Sequence, residues 1–425
     1  MIDESQPPQS PEPPDPSRRK FIIGAAAITT VGAAASVGFS EVNERFLQPR
    51  KELIADWESA SVENEQFMEV HKTELEHVRL GCSLSPEQLE WLGIHDSPEQ
   101  VLDYLQELGI NNIRLGIRWD RSVDNDGNID LSYYGPWIVE SLKRGMDLCL
   151  NVGPIKVFRW PEDHVPKSVL KRLEQQRRLP EKGALIQPDD PLAREGLEYL
   201  NTLLPELAKL TQGHTVTIQP ENEAQTPFGE HEWVASSDYL FTVVKTILDH
   251  FPNSPILLNS PAVKQSKSPI PHSSTLEYTA QLAKALVAAR PGVEVISGVD
   301  VYPETPHSMT VPRSNGLQVD TQMALLASRG EHVLHDYVAD MTTSGIRTEV
   351  TELQAEPWGN RTQPGNSAQS LRFAVLRSLP FVDTSKPTTL RLWGIEHLYA
   401  KLVKGKETEE HKKIDELVQM INAQA

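Results

Sequence analysis

Cysteine is nearly absent from this chain, with two residues, Cys82 and Cys149, in 425. Two are too few for a disulfide framework, and both sit inside apolar runs ("RLGCSL", "DLCLNVG"), where they read as small core residues. Positive charge is also scarce: 41 Lys and Arg stand against 59 Asp and Glu, a formal net charge of −18. That balance argues against a nucleic-acid backbone or an anionic membrane surface as the partner, and it bears on solubility rather than fold. There is no Gly-x-Ser-x-Gly elbow, which disfavours a serine hydrolase. "GCSLSPEQ", at the end of the first strand-like run, is not the glycine-rich phosphate loop of an open dinucleotide-binding sheet. Internal repeats are lacking, and biased composition is confined to the first 16 residues, whose proline and acid content predicts disorder. Metal-type spacing is equally poor. His332 and His335 stand three apart without a third ligand and His231 lies between two glutamates, so neither a metal nor an organic cofactor is expected.

Long apolar runs are missing too, with one exception. "SRRKFIIGAAAITTVGAAASVGF" sets the pair Arg18-Arg19 directly before an Ala/Gly-rich segment, Phe21 to Phe39. It resembles a twin-arginine export signal, and "AAAS" (Ala33 to Ser36) supplies a cleavage site. The segment is also about long enough to cross a bilayer, so an uncleaved membrane anchor is a competing reading. Either of these places the folded part outside the cytoplasm, exported to the periplasm or medium or held facing outward; a chance arginine pair in a cytosolic protein is the third reading. The expected layout is residues 1–40 as disordered start plus signal or anchor, 41–77 as a stem or leading helix, 78–405 as one domain, and 406–425 as a C-terminal helix.

From residue 78 onward, short β-branched or apolar runs alternate with helical stretches. The runs are 78–84, 112–119, 147–153, 214–220, 255–261, 293–302, 345–352 and 388–394, eight in all. Between them, "SPEQVLDYLQELG" (97–109) opens with a capping-type Ser-x-x-Gln and closes at Gly109, and "TLEYTAQLAKALVAAR" (275–290) carries apolar residues at helical spacing. Strand alternating with helix implies parallel strands joined by crossovers, and eight units predict a closed (β/α)8 barrel of the TIM type. In such a barrel the loops that follow the strands gather at one mouth, where function resides. The long, odd connectors 154–190, 259–274 and 303–321 all follow strands.

Two carboxylates stand at that mouth. Glu223 follows the fourth run in "TIQPENEAQTPFG", and Glu352 ends the seventh in "TEVTELQAEPWG". Strand ends four and seven face each other across a barrel, the placement that glycosidic bond cleavage requires: one carboxyl protonated to serve the leaving oxygen, the other ionised. Strand alternation puts residues 348, 350 and 352 on one face and turns Glu349 toward the helices. Glu221 reads as a supporting or solvent-facing neighbour of the acid.

These residues, with others in matching order, make the chain similar over roughly residues 78–400 to the clan A glycoside hydrolases, cellulase-like barrels of the family 5 type. The resemblance implies Glu223 as acid/base, with Asn222 beside it to bind a sugar hydroxyl, and Glu352 as nucleophile. "IRLGIRW" places Arg114 beneath the nucleophile to keep it ionised. "VDVYP" places Tyr302 against it, and "LRLWGIEHLY" places Trp393 on the floor of the sugar site. Trp160, in a loop "FRWPEDHVP" similar to one in those enzymes, and Trp358 join them as aromatic surfaces for a pyranose. Trp119 and Trp233 also fall near the mouth. The sequence departs from the clan's pattern at Ala224, Pro220 and Glu221. The implied activity is retaining hydrolysis of β-glycosidic bonds in an oligo- or polysaccharide, without cofactor. Two competing readings are a non-catalytic, surface-held carbohydrate-binding barrel and a metal-using hydrolase.

Overall fold

The structure, a computed structural model, describes residues 55–124, 126–159, 161–261, 275–302, 337–355 and 367–425. All eight runs form strands of one closed parallel barrel. They are β1 (Val78–Leu84), β2 (Asn112–Gly116), β3 (Asp147–Asn151), β5 (Thr217–Gln219), β7 (Ile256–Ser260), β8 (Val295–Val301), β9 (Arg347–Gln354) and β10 (Thr388–Trp393), with β10 pairing back onto β1. Two further short strands, β4 (Leu185–Ile186) and β6 (Val234–Ala235), pair with each other outside the barrel, in the connections after β3 and β5. Crossover helices cover the outside: α1 (Pro98–Glu107), α2 (Gly135–Lys143), α3 (Pro191–Leu210), α4 (Ser237–His250), α5 (Thr275–Ala289) and α6 (Ala368–Ser378). Two more, α7 (Ile395–Val403) and α8 (Glu409–Gln424), follow the last strand. At the start of α1 the Ser97 backbone N–H donates to Gln100 Oε1 at 3.0 Å, and the chain leaves the helix through Gly109 at φ 73°. Among the described residues no helix is long and apolar enough to cross a membrane; Phe21–Phe39 lies outside them.

The strands are buried on both faces, which is why their sequences read as near-continuous apolar runs. Outward residues such as Val78, Leu80, Cys82 and Leu84 join the large core shared with the helices. Inside the barrel, Cys149, Leu257 and Ile296 form a small cluster of their own. Both cysteines are free and buried, and burial pushes the Cys149 thiol up to about 11. The barrel interior also holds an ion pair, Arg391 Nη1 to Glu349 Oε2 at 2.5 Å. Arg391 Nε reaches across β1 to Asn112 Oδ1 at 2.9 Å, over Gly81, where a Cβ would stand 2.7 Å from the Asn112 carbonyl.

That pair corrects the alternation expected for the seventh barrel strand. Glu349 faces the barrel interior and not the helices. β9 carries one extra residue relative to its neighbour: Val350 pairs with Val299, but the next pair is Glu352 with Asp300. Against β10 the same shift separates Leu390–Val350 from Leu392–Leu353. A β-bulge of this kind re-aims the side chains beyond it. It lets Glu349 point into the lower barrel and still brings Glu352 into the mouth.

Candidate active site

β5 stops where its sequence must. Pro220 has no N–H to continue the ladder, and the three polar residues after it each take a different direction. Glu221 turns back into the protein, accepting from the backbone of Lys156 at 2.6 Å and Ile155 at 3.3 Å and from the Tyr239 hydroxyl at 2.8 Å. Burial outweighs those bonds and lifts its carboxyl to about 8. It is 2% exposed and buttresses the loop after β3, so it does not face solvent. Glu223 sits at φ 42°, a left-handed backbone that non-glycine residues seldom adopt and that gathers at functional sites. Its N–H donates to Asn259 Oδ1 at 2.9 Å, and its carbonyl accepts from the Thr226 N–H at 2.8 Å.

Arg114 is the hub beneath the mouth. Fully buried on β2, it donates from Nη1 to Glu352 Oε1 at 2.6 Å, from Nη2 to Asn222 Oδ1 at 2.5 Å and from Nε to Gln219 Oε1 at 2.7 Å. Its guanidinium also lies over the Phe158 ring, 4.3 Å from the centroid. Asn222 Oδ1 takes a further bond from Asn259 Nδ2 at 3.0 Å. With the oxygen so engaged, the amide NH2 is the part of Asn222 turned away from this cluster. Glu352 is thus a carboxylate held by a guanidinium, and the Tyr302 hydroxyl donates to its other oxygen.

Glu223, Glu352 and Asp300 meet here, all buried, with carboxylate oxygens within 4.8 Å of one another. Their surroundings differ. Glu352 has its guanidinium and phenol. The Glu223 carboxyl has Oε2 buried without a hydrogen-bond partner. Burial first, then the charges of Glu162, Asp300 and Glu352, push Glu223 well above the usual carboxylate range. Asp300 accepts from Asn259 Nδ2 at 2.9 Å and from Thr351 Oγ1 at 2.5 Å, and burial with the Glu352 charge lifts it to about 8. Sequence reasoning singled out neither Asp300 nor Asn259. The available signal was a polar residue inside an apolar strand run ("VDVY", "ILLNS") on the inward face, two positions from another inward residue.

The aromatic residues divide. Trp393 lies at the end of β10, edge-on to Tyr302 with centroids 6.4 Å apart and to Phe158 at 5.7 Å. One face of its ring is covered by the Arg159 guanidinium at 4.1 Å, and Arg159 Nη2 in turn donates to Glu396 Oε2 at 2.5 Å. Trp119 stacks on Tyr199 at 4.9 Å, and Trp233 is fully buried against His231, so both serve packing. Trp160 and Trp358 lie outside the described residues. The structure therefore brings together Arg114, Asn222, Glu223, Tyr302, Glu352 and Trp393.

Among the described residues the three carboxylates are also the one cluster compact enough to hold a cation. The donors around them fit protons better than a metal, since Arg114 already neutralises Glu352 and both oxygens of Asp300 accept from neutral donors.

No family model matches the chain, and no curated protein does. Among solved structures it is similar to the exo-beta-1,4-mannosidase Op5Man5 from Opitutaceae bacterium strain TAV5, at 16% identity over 80% of this chain and TM-score 0.46. The alignment spans 59% of that mannosidase. It is also similar to a GH5-4 broad specificity endoglucanase from Clostridium longisporum, with 12% identity, 82% and 97% of the two chains and TM-score 0.47. An endo-1,4-beta-mannanase from Rhizomucor miehei gives 14%, 74% and 85%, and 0.45. Overlaps of that size say nothing about chemistry.

Proposed function

We propose that this protein is a retaining β-glycosidase acting on an oligo- or polysaccharide, with Glu352 as nucleophile and Glu223 as acid/base. One observation carries the reading: two carboxyls from opposite strands of a barrel meet within 4.8 Å in unlike surroundings, one on a guanidinium and one buried and pushed toward its protonated form. A close pair suits direct attack, for which the carboxyls stand about 5–5.5 Å apart, whereas an inverting site spaces them about 6.5–9.5 Å to admit a water.

Glu352 attacks the anomeric carbon while the Glu223 proton passes to the glycosidic oxygen, whose bond to carbon breaks with the electron pair leaving on oxygen. A glycosyl ester of Glu352 results. Water then gives a proton to Glu223 and attacks the same carbon, and the ester bond breaks to restore the carboxylate. Arg114 and Tyr302 hold Glu352 in line and steady its charge, and the Asn222 amide NH2 is available to a sugar hydroxyl. We also propose that the protein is exported or anchored facing outward, a reading supported by Arg18-Arg19 before the Phe21–Phe39 segment.

A panel of aryl β-glycosides tests this. Turnover with retained anomeric configuration, insensitive to chelator and reduced at least about 10³-fold by Glu352→Gln, is the expected result. Sugar binding without turnover makes the chain a carbohydrate-binding barrel, and loss of turnover with chelator makes it a metal-using hydrolase.

A further inference from the structure

Two carboxylates suffice for the scheme above, yet a third is built into the same site. We propose that Asp300 is the positioning residue of the acid: it takes the hydrogen bond of the Glu223 carboxyl, keeping the proton on Glu223 and the other oxygen aimed at the leaving group. The proposal rests on the glycosidase reading and names the part of the site that governs its proton.

The geometry makes the case. Two ionised carboxylates brought this close have nothing to donate to each other, and a single proton between them converts repulsion into a strong O–H···O bond. A Glu223 carboxyl oxygen lies within 4.8 Å of an Asp300 carboxylate oxygen, deep in the same buried pocket. The proton belongs on Glu223, because the Asp300 oxygens already accept from Thr351 Oγ1 at 2.5 Å and Asn259 Nδ2 at 2.9 Å, bonds that favour a charged Asp300. The spacing is also fixed from outside. One Asn259 amide donates to the Asp300 carboxylate and accepts the Glu223 backbone N–H, and so sets one residue against the other.

The other charged or titratable groups facing the pair are Glu352 on β9, Glu162 and Lys156 in the loop after β3, Arg114 on β2 and Tyr302 after β8. Burial and the neighbouring carboxylates raise both members of the pair, so their shared proton persists through neutral pH.

The test uses the full chain, wild type, Asp300→Asn and Thr351→Val, on aryl β-glycosides ranging from dinitrophenyl to methoxyphenyl leaving groups. Asp300→Asn should lose about 10²-fold on methoxyphenolate, which needs an acid, and much less on dinitrophenolate, which does not. Its alkaline limb should move to lower pH, because the charge that holds the proton is gone. Thr351→Val keeps all three carboxyls but removes a bond to charged Asp300, and should move the limb the other way. Equal losses on every leaving group with an unmoved limb in folded Asp300→Asn overturn the proposal and leave the glycosidase standing. If Asp300→Asn gives no cooperative melt, the sign of the Thr351→Val shift decides. If the wild type cleaves no glycoside, the glycosidase reading fails alone, and infrared titration of the carboxyl band lost in Glu223→Gln judges Asp300. A lower titration point for that band in Asp300→Asn, or a higher one in Thr351→Val, supports the role; an unchanged one overturns it.

Discussion

The Asn259 side chain makes four hydrogen bonds, and each goes to a residue of the site or its frame. Its oxygen accepts from Gln219 Nε2 at 2.8 Å and from the Glu223 N–H, and its NH2 donates to Asn222 and Asp300. An amide is the one neutral group that offers both roles at this span, so no isosteric acid or aliphatic residue replaces it. Asn259→Ala strands a buried N–H at Glu223 and lets its left-handed backbone relax. The expected result is a loss of about 1–3 kcal/mol in urea unfolding and a fall in kcat larger than the change in KM. A loss of stability with unaltered kcat would show that Asn259 holds the barrel but not the acid.

At the scale of the strand, the site depends on the irregularity in β9. A regular β9 that turns Glu349 inward to Arg391 turns Glu352 out, because side chains alternate. The extra residue satisfies both demands, and Thr351 within it binds Asp300. Gly298 on the adjacent strand makes room for the bulge: a Cβ there would lie 2.7 Å from Thr351 Cγ2 and 2.9 Å from its hydroxyl. Gly298→Ala is therefore expected to cost about 1–3 kcal/mol by overpacking and to lower kcat by displacing Thr351 from Asp300. An alanine variant with wild-type kcat would mean that β9 moves independently of the site.

For the molecule as a whole, Glu221, Glu223 and Asp300 are buried carboxyls with raised values in a chain of net charge −18. A carboxyl raised on folding binds its proton more tightly in the native state than in the unfolded chain. The stability it contributes is complete below the ordinary carboxylate range, and it is lost as pH rises from there through the raised value, about 8 for Glu221. The melting temperature should fall between pH 5 and pH 8. Glu223→Gln, which has no proton to lose, should match the wild type at pH 5 and exceed it at pH 8, at the expense of activity. Parallel melting curves for the two proteins across that range would show that Glu223 titrates as it does in the unfolded chain.

By itself the sequence determined the barrel, since eight apolar runs separated by helical stretches have few other ways to bury parallel strands on both faces. It also located the mouth, because Pro220 ends one strand and acidic side chains at strand ends have nowhere else to point. What it left open was the aim of those side chains. Alternation along β9 misassigned Glu349, because a bulge is a relation between neighbouring strands and leaves no mark in one of them. Asp300 and Asn259 looked like ordinary polar residues in strands until closure of the barrel set them beside Glu223. Trp393 looked like an open aromatic floor, and only packing brought Arg159 across one of its faces. Tertiary structure decided these points because charge, protonation and hydrogen bonding in a buried site depend on distances between residues far apart in the chain.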